Sequence, residues 1–198
     1  LYSLNGSEWS FVVPLVLFYG GTALFDWLLG EDTSNPPEEL VPQLEADAYY
    51  RWLPILTVPM HFAVLIAVAW FAGTHDLSWP ALLALALTAG LYSGIGVNTA
   101  HELGHKKTDL ERWMARIVSA VPAYGHFCVE HNRGHHRHVA TPADPASSRM
   151  GENIYKFACR EIPGAFRRGW NAEKERLARQ GKSAWHHENE ILQSYALT

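Results

Sequence analysis

The sequence predicts an all-α membrane protein, a transmembrane helix bundle followed by a histidine-rich metal region on its cytoplasmic side. Three observations predict it. Three apolar stretches in the first half are each long enough to cross a bilayer core, which takes roughly 20 mostly apolar residues. Of the 16 Lys and Arg, Arg51 alone lies before Lys106, the asymmetry of a membrane part followed by a part in water. Five of the 11 His fall into two tight clusters after the third stretch. The net charge of −4 and the mean hydropathy of −0.10 resemble those of a soluble protein only because they average over the two halves. The lipid bilayer is the expected partner surface, and no nucleic acid is expected.

The first span, Phe11 to Leu29, is interrupted by Pro14 and Asp26; the second runs from Trp52 to Ala72 and the third from Pro80 to Ala100. A soluble bundle of buried helices is the alternative, but three such stretches in a row, nearly free of Lys and Arg, are rare in soluble domains. Trp9, Trp27, Tyr49, Tyr50, Trp52, Trp70 and Trp79 sit near span ends, where amphipathic rings prefer the headgroup zone. Gly73 to Ser78 is a tight connection that makes the second and third spans an antiparallel pair. In the longer loop from Gly30 to Arg51, Asn35-Pro36-Pro37 breaks any helix. The third span leads into the basic half, so its C-terminal end is expected at the cytoplasm and residue 1 outside.

Residues 1–100 are therefore read as transmembrane helices, and 101–198 as the cytoplasmic and interfacial part of one domain. Trp113 to Cys128, which carries Arg116 and Pro122, is expected at the interface. Glu161 to Lys182 is expected as a cytoplasmic helix with Phe166, Trp170 and Leu177 on its apolar side and a break near Gly169. The start, Leu1-Tyr2-Ser3, has neither Met nor a signal-peptide pattern, and Ile191 to Thr198 opens a new apolar run. More sequence is expected on both sides. Cys128 and Cys159 form no CxxC pair and read as small core residues.

The first histidine cluster is His101-Glu102-Leu103-Gly104-His105. Positions i and i+4 of a helix share a face about 5–6 Å apart, so both imidazoles can reach one metal region. The second, His131-Asn132-Arg133-Gly134-His135-His136, repeats the pair and adds a neighbour. In an α-helix that neighbour turns about 100° away, which suits a second metal better than the first. Neutral imidazole ligates Zn, Cu, Fe and Ni alike. Only 25 residues, Lys106 to Glu130, separate the clusters, and two bilayer crossings need about 40. Both clusters must then lie on one side, where they can meet.

The first cluster also matches H-E-x-x-H, the zinc-protease signature with Glu102 as general base. A catalytic zinc takes three protein ligands, and the second cluster would oversupply it. His61, His75, His126, His186 and His187 read as hydrogen-bonded structural residues, and His138 as a residue that orients a ligand. Of the nearby carboxylates Glu102, Glu130 and Asp144, the first two are expected to point away from the imidazoles.

The segments "NTAHELGHKK", "YGHFCVEHNRGHHRHVATPADPASSRMGENIYKF" and "REIPGAF", with "GEDTSNPPEE" and "LTVPMHFAVLIA", resemble the bacterial integral-membrane alkane 1-monooxygenases. Membrane fatty-acid desaturases share the His boxes but not the long stretch after His136. The resemblance implies six spanning helices, three of them in this chain, in a multi-pass protein of the bacterial inner membrane with its active site toward the cytoplasm. It implies two non-heme irons with His101, His105, His131, His135 and His136 among their ligands, the remaining ligands lying outside this segment. The implied reaction is terminal hydroxylation of medium-chain n-alkanes to 1-alkanols with O2 and electrons from rubredoxin and its reductase. The basic half is the expected docking surface for that donor. A bulky residue in the first span would limit substrate depth in an apolar channel, and Phe18 is the candidate. The competing readings are a desaturase-like di-iron enzyme, an H-E-x-x-H membrane zinc protease and a non-catalytic membrane fragment.

Overall fold

A computed structural model describes Tyr2 and residues 6–198. Every regular element among them is helical, and three helices are long and apolar enough to span a membrane: α1 (Glu8–Leu29), α3 (Ala48–Thr74) and α4 (Trp79–Gly104). The chain forms two compact units, Leu1–Ile95 and Gly96–Thr198.

In the first unit, α1 winds unevenly. Pro14 removes a backbone donor, and the helix opens as a 3-10 turn at Glu8–Phe11, becomes α at Val13–Val16, widens to a π-turn at Leu17–Gly21 and returns to α over Thr22–Leu29. Its charged start is anchored: Glu8 accepts hydrogen bonds from the Ser78 N–H at 2.8 Å and hydroxyl at 2.5 Å, and Thr88 donates to the Phe11 carbonyl at 2.8 Å. The loop before α3 is less irregular than its prolines imply. It holds a 3-10 turn at Glu38–Leu40 and α2 (Val41–Ala46), which begins with Pro42 at a helix start, where the missing N–H is unneeded.

Asp47 caps α3 by accepting from the Tyr49 N–H at 2.8 Å. Both expected long spans extend past their apolar cores, because backbone hydrogen bonding continues into the polar ends. Along α3, Ile55, Val58 and His61 are buried at helical spacing, while Leu56, Met60 and Ile66 are exposed, the pattern of a helix with one packed face and one lipid face. The short connection folds α4 back, placing the His61 ring 4.5 Å from Tyr92. This is the antiparallel pair expected from Gly73 to Ser78.

The second unit packs α5 (Asp109–Ala120), α6 (residues 127–138), α7 (Ile154–Ala178) and α8 (Glu190–Tyr195). The segment expected to be one interfacial helix is two, separated by a turn in which Ala123 has φ 55°. In α7 the buried residues Ala165, Gly169, Glu173 and Leu177 form one stripe at i, i+4 spacing. The expected break at Gly169 is absent. A Cβ there would lie 3.3 Å from the Glu130 Cβ and 3.5 Å from the His126 carbonyl, so this glycine serves close approach of α6 rather than termination. Glu173, with its side chain fully covered, is neutralised by Arg133 at 2.7 Å and Arg176 at 2.5 Å. The apolar run after Asn189 becomes α8, capped by the Asn189 side chain and held to α5 by the Ser194 hydroxyl, which donates to the Arg116 carbonyl at 2.8 Å. Of the two cysteines only Cys128 is largely covered; Cys159 is exposed.

Candidate metal centre

The final turn of α4 carries His101, and His105 follows directly after its end, so the i, i+4 relation brings their Nε2 atoms to 3.2 Å. Helix α6 presents His131 and His136, whose Nε2 atoms are 3.0 Å apart. The pairs face each other: ring centroids are 4.7 Å apart for His101 and His131, and 4.9 Å for His105 and His136. One ring nitrogen from each of the four lies within 4.8 Å of the others.

The pairing within α6 differs from the α-helical expectation. Residues His131–His135 form a π-turn, whose i→i+5 bonding widens the helix. His136 thereby returns to the face of His131 instead of turning away. His138, expected to orient a ligand ring, instead meets the backbone: its Nδ1 lies 3.1 Å from the Gly134 carbonyl. A Cβ on Gly134 would come within 2.6 Å of the Arg168 Nε, so the glycine leaves room for that side chain to cross the turn.

His135 stands beside the four rather than among them. Its ring stacks on His131 at 5.4 Å, and its Nδ1 is 2.9 Å from Asp144 Oδ2. The Asp144 carboxylate is completely covered and also accepts from Ser147 Oγ at 2.5 Å, the Ala146 N–H at 3.0 Å and Arg168 at 2.7 Å. Burial alone would raise its pKa, but these hydrogen bonds outweigh it and hold the carboxyl below its ordinary value. Arg168 binds Glu130 as well, so one guanidinium links α6, α7 and the Asp144 loop. Glu102 does not point away as expected: its Oε1 is 3.1 Å from His101 Nδ1.

This donor set fits a metal cation. A carboxylate that accepts the Nδ1–H of an imidazole leaves its Nε2 as a bare lone pair, and Glu102 and Asp144 hold His101 and His135 in this way. Burial, reinforced by the neighbouring imidazoles, pushes the His131 pKa down to about 4 and lowers that of His105. The His131 and His105 rings are thus held neutral near pH 7. Within each pair the Nε2 atoms lie 3.2 and 3.0 Å apart, close enough for one divalent cation to take both where a proton is disfavoured.

Sequence reasoning counted Asp144 as a nearby carboxylate but not as the partner of His135, and it missed Arg168. Nothing local marks Arg168, which reaches the site from the middle of α7. Phe18 lies in the π-turn of α1, 41% exposed and edge-on to Tyr19 at 5.3 Å; it belongs to the other unit. His186, His187 and Glu188 also place donor atoms within 4.8 Å of one another, but Glu188 is paired with Lys182 at 2.5 Å.

Residues 77–195 match the fatty acid desaturase family. The chain is 56% identical over 200 residues to an alkane 1-monooxygenase of Pseudomonas putida and, at the same identity, to one of Ectopseudomonas oleovorans. It is 55% identical to alkane 1-monooxygenase 1 of Alcanivorax borkumensis. Each alignment covers 100% of this chain and 50% of the relative, so the chain spans about half the length of the curated relatives it matches.

Proposed function

We propose, for a chain that belongs to the fatty acid desaturase family and within it to the alkane 1-monooxygenases, that it provides the membrane helices and a metal-binding part of an enzyme converting medium-chain n-alkanes to 1-alkanols. The observation that supports this best is the convergence of four imidazoles at the end of a membrane span, in a chain 56% identical to alkane 1-monooxygenases. Two non-heme irons held by His101, His105, His131, His135 and His136 with further donors would supply the chemistry, placing one atom of O2 in the terminal C–H bond while two electrons and two protons carry the other to water.

The chain's own residues prepare that site. Glu102 and Asp144 fix the tautomer and orientation of His101 and His135. Burial keeps His131 unprotonated and able to ligate. The end of α4 is where an alkane dissolved in lipid and a reductant in water can both reach. Orientation in the bacterial inner membrane would put this end at the cytoplasm, following the basic residues from Lys106 onward. Rubredoxin, with its reductase, is the proposed electron donor, and the excess of Lys and Arg there suits a small acidic protein. Phe18 is the proposed limit on alkane length, because a linear alkane offers packing alone for recognition. The zinc-protease reading is weaker: Glu102 would have to act on a metal-bound water, whereas it is bonded to the back of His101.

The test supplies the protein in its own membrane with octane, 18O2, rubredoxin and its reductase. Labelled 1-octanol, lost in His131→Ala, is the expected result. An alkene without label would assign the desaturase-like reaction, and no oxidised product with a fully metallated site would reject both.

A further inference from the structure

Next to the metal cluster, and wholly within the second unit, is a cavity of about 370 Å³. It begins where α4 leaves the span at Gly104. Its walls carry Lys106 and Lys107 from the turn after α4, Arg112 and Arg116 from α5, Arg133 from α6 and Glu190 from the start of α8. Five cations thus line it with one carboxylate, and of the five Arg133 is also paired outside the cavity, with Glu173 at 2.7 Å. The Glu190 carboxylate is already shared, at 3.2 Å from Arg116 and 2.7 Å from Arg133. Arg112 spends one nitrogen on the Lys107 carbonyl at 2.6 Å and pairs only loosely, at 3.4 Å, with the exposed Asp109. Lys106 and Lys107 make no ion pair among the described residues.

Folding places these cations together on two helices and the turn after α4, and an anion is the partner that offsets their repulsion. We propose that the cavity binds a phosphate ester, the headgroup phosphate of an anionic phospholipid. Position decides for a lipid: basic residues immediately beyond a spanning helix are where anionic headgroups gather. Guanidinium groups supply directed donors for phosphate oxygens, and the two ammonium groups supply charge at the rim.

The test titrates the detergent-purified protein with phosphatidylglycerol, phosphatidylcholine or inorganic phosphate, reading binding by native mass spectrometry and by thermal unfolding. Phosphatidylglycerol should bind and stabilise, and phosphatidylcholine should not. The double variant Lys106→Gln/Lys107→Gln should weaken phosphatidylglycerol binding roughly 30-fold, about fivefold for each lysine near a headgroup. The control Lys156→Gln/Lys174→Gln, with both changes on α7 outside the cavity, should leave it unchanged. If inorganic phosphate saturates the same site and the lipid adds nothing, the phosphate site stands and the lipid source falls. The proposal is overturned if the control weakens binding equally. It is also overturned if neither variant affects the phosphate compounds while the first loses affinity for an acidic protein.

Discussion

Asp144→Asn probes the metal centre through a residue that would not touch the metal. The change preserves shape and removes charge. In the native protein Oδ2 accepts from His135 Nδ1 at 2.9 Å and Ser147 Oγ at 2.5 Å, while Oδ1 accepts from Arg168 at 2.7 Å and the Ala146 N–H at 3.0 Å. An amide has one oxygen, so in either orientation its NH2 faces one pair of donors. Loss of a carboxylate that orients a ligating imidazole weakens metal binding about 10–100-fold, or about 1.4–2.8 kcal/mol. Unsatisfied buried partners destabilise the fold by about 1–3 kcal/mol more. Competition for ferrous iron with a chromophoric chelator measures the first effect; helicity and thermal unfolding measure the second. Ser147→Ala is the comparison, since it removes one hydrogen bond to Asp144 and leaves the His135 contact in place. It should cost stability with little change in iron affinity. A folded Asp144→Asn protein with native iron affinity would refute the idea that this carboxylate sets His135 as a ligand.

Phe18→Ala should extend the alkanes accepted toward longer chains, seen in the product profile of an alkane mixture; an unchanged profile rejects the assignment. Gly125→Ala should destabilise the fold by about 1–3 kcal/mol, because a Cβ would lie 2.7 Å from both the Cβ and Oγ of Ser194, and thermal unfolding would show it. Burial pushes the His126 pKa from 6.5 down to about 4, so the unfolded chain takes up a proton first as the pH drops. The stability tied to its neutral form is complete above about pH 6.5 and is lost as the pH falls through about 4, up to about 3 kcal/mol; unfolding of His126→Gln should show a correspondingly shallower acid slope. Burial also raises the Cys128 thiol to about 11, whereas Cys159 is exposed. At pH 7.5 a maleimide should label one thiol in the folded protein and two after denaturation.

The spans and the histidine spacings were legible in the sequence because both are local properties. Length and apolarity decide whether a helix can sit in lipid, and the first half of this chain has almost no charge to oppose it. The i, i+4 spacing of His101 and His105 was equally readable, because an α-helix of any origin puts them on one face. The same logic failed one cluster later. The partner of His131 is His136 only because the helix widens into a π-turn, and spacing alone does not distinguish that winding from an α-turn. Gly169 shows the same limit: glycine can end a helix or admit a neighbour, and only the approach of α6 selects the second. Asp144 and Arg168 acquire their roles from contacts that bring a loop and α7 to the π-turn. Such contacts depend on how helices pack. Packing answers to shape and buried charge across residues far apart in the chain, which no local pattern records.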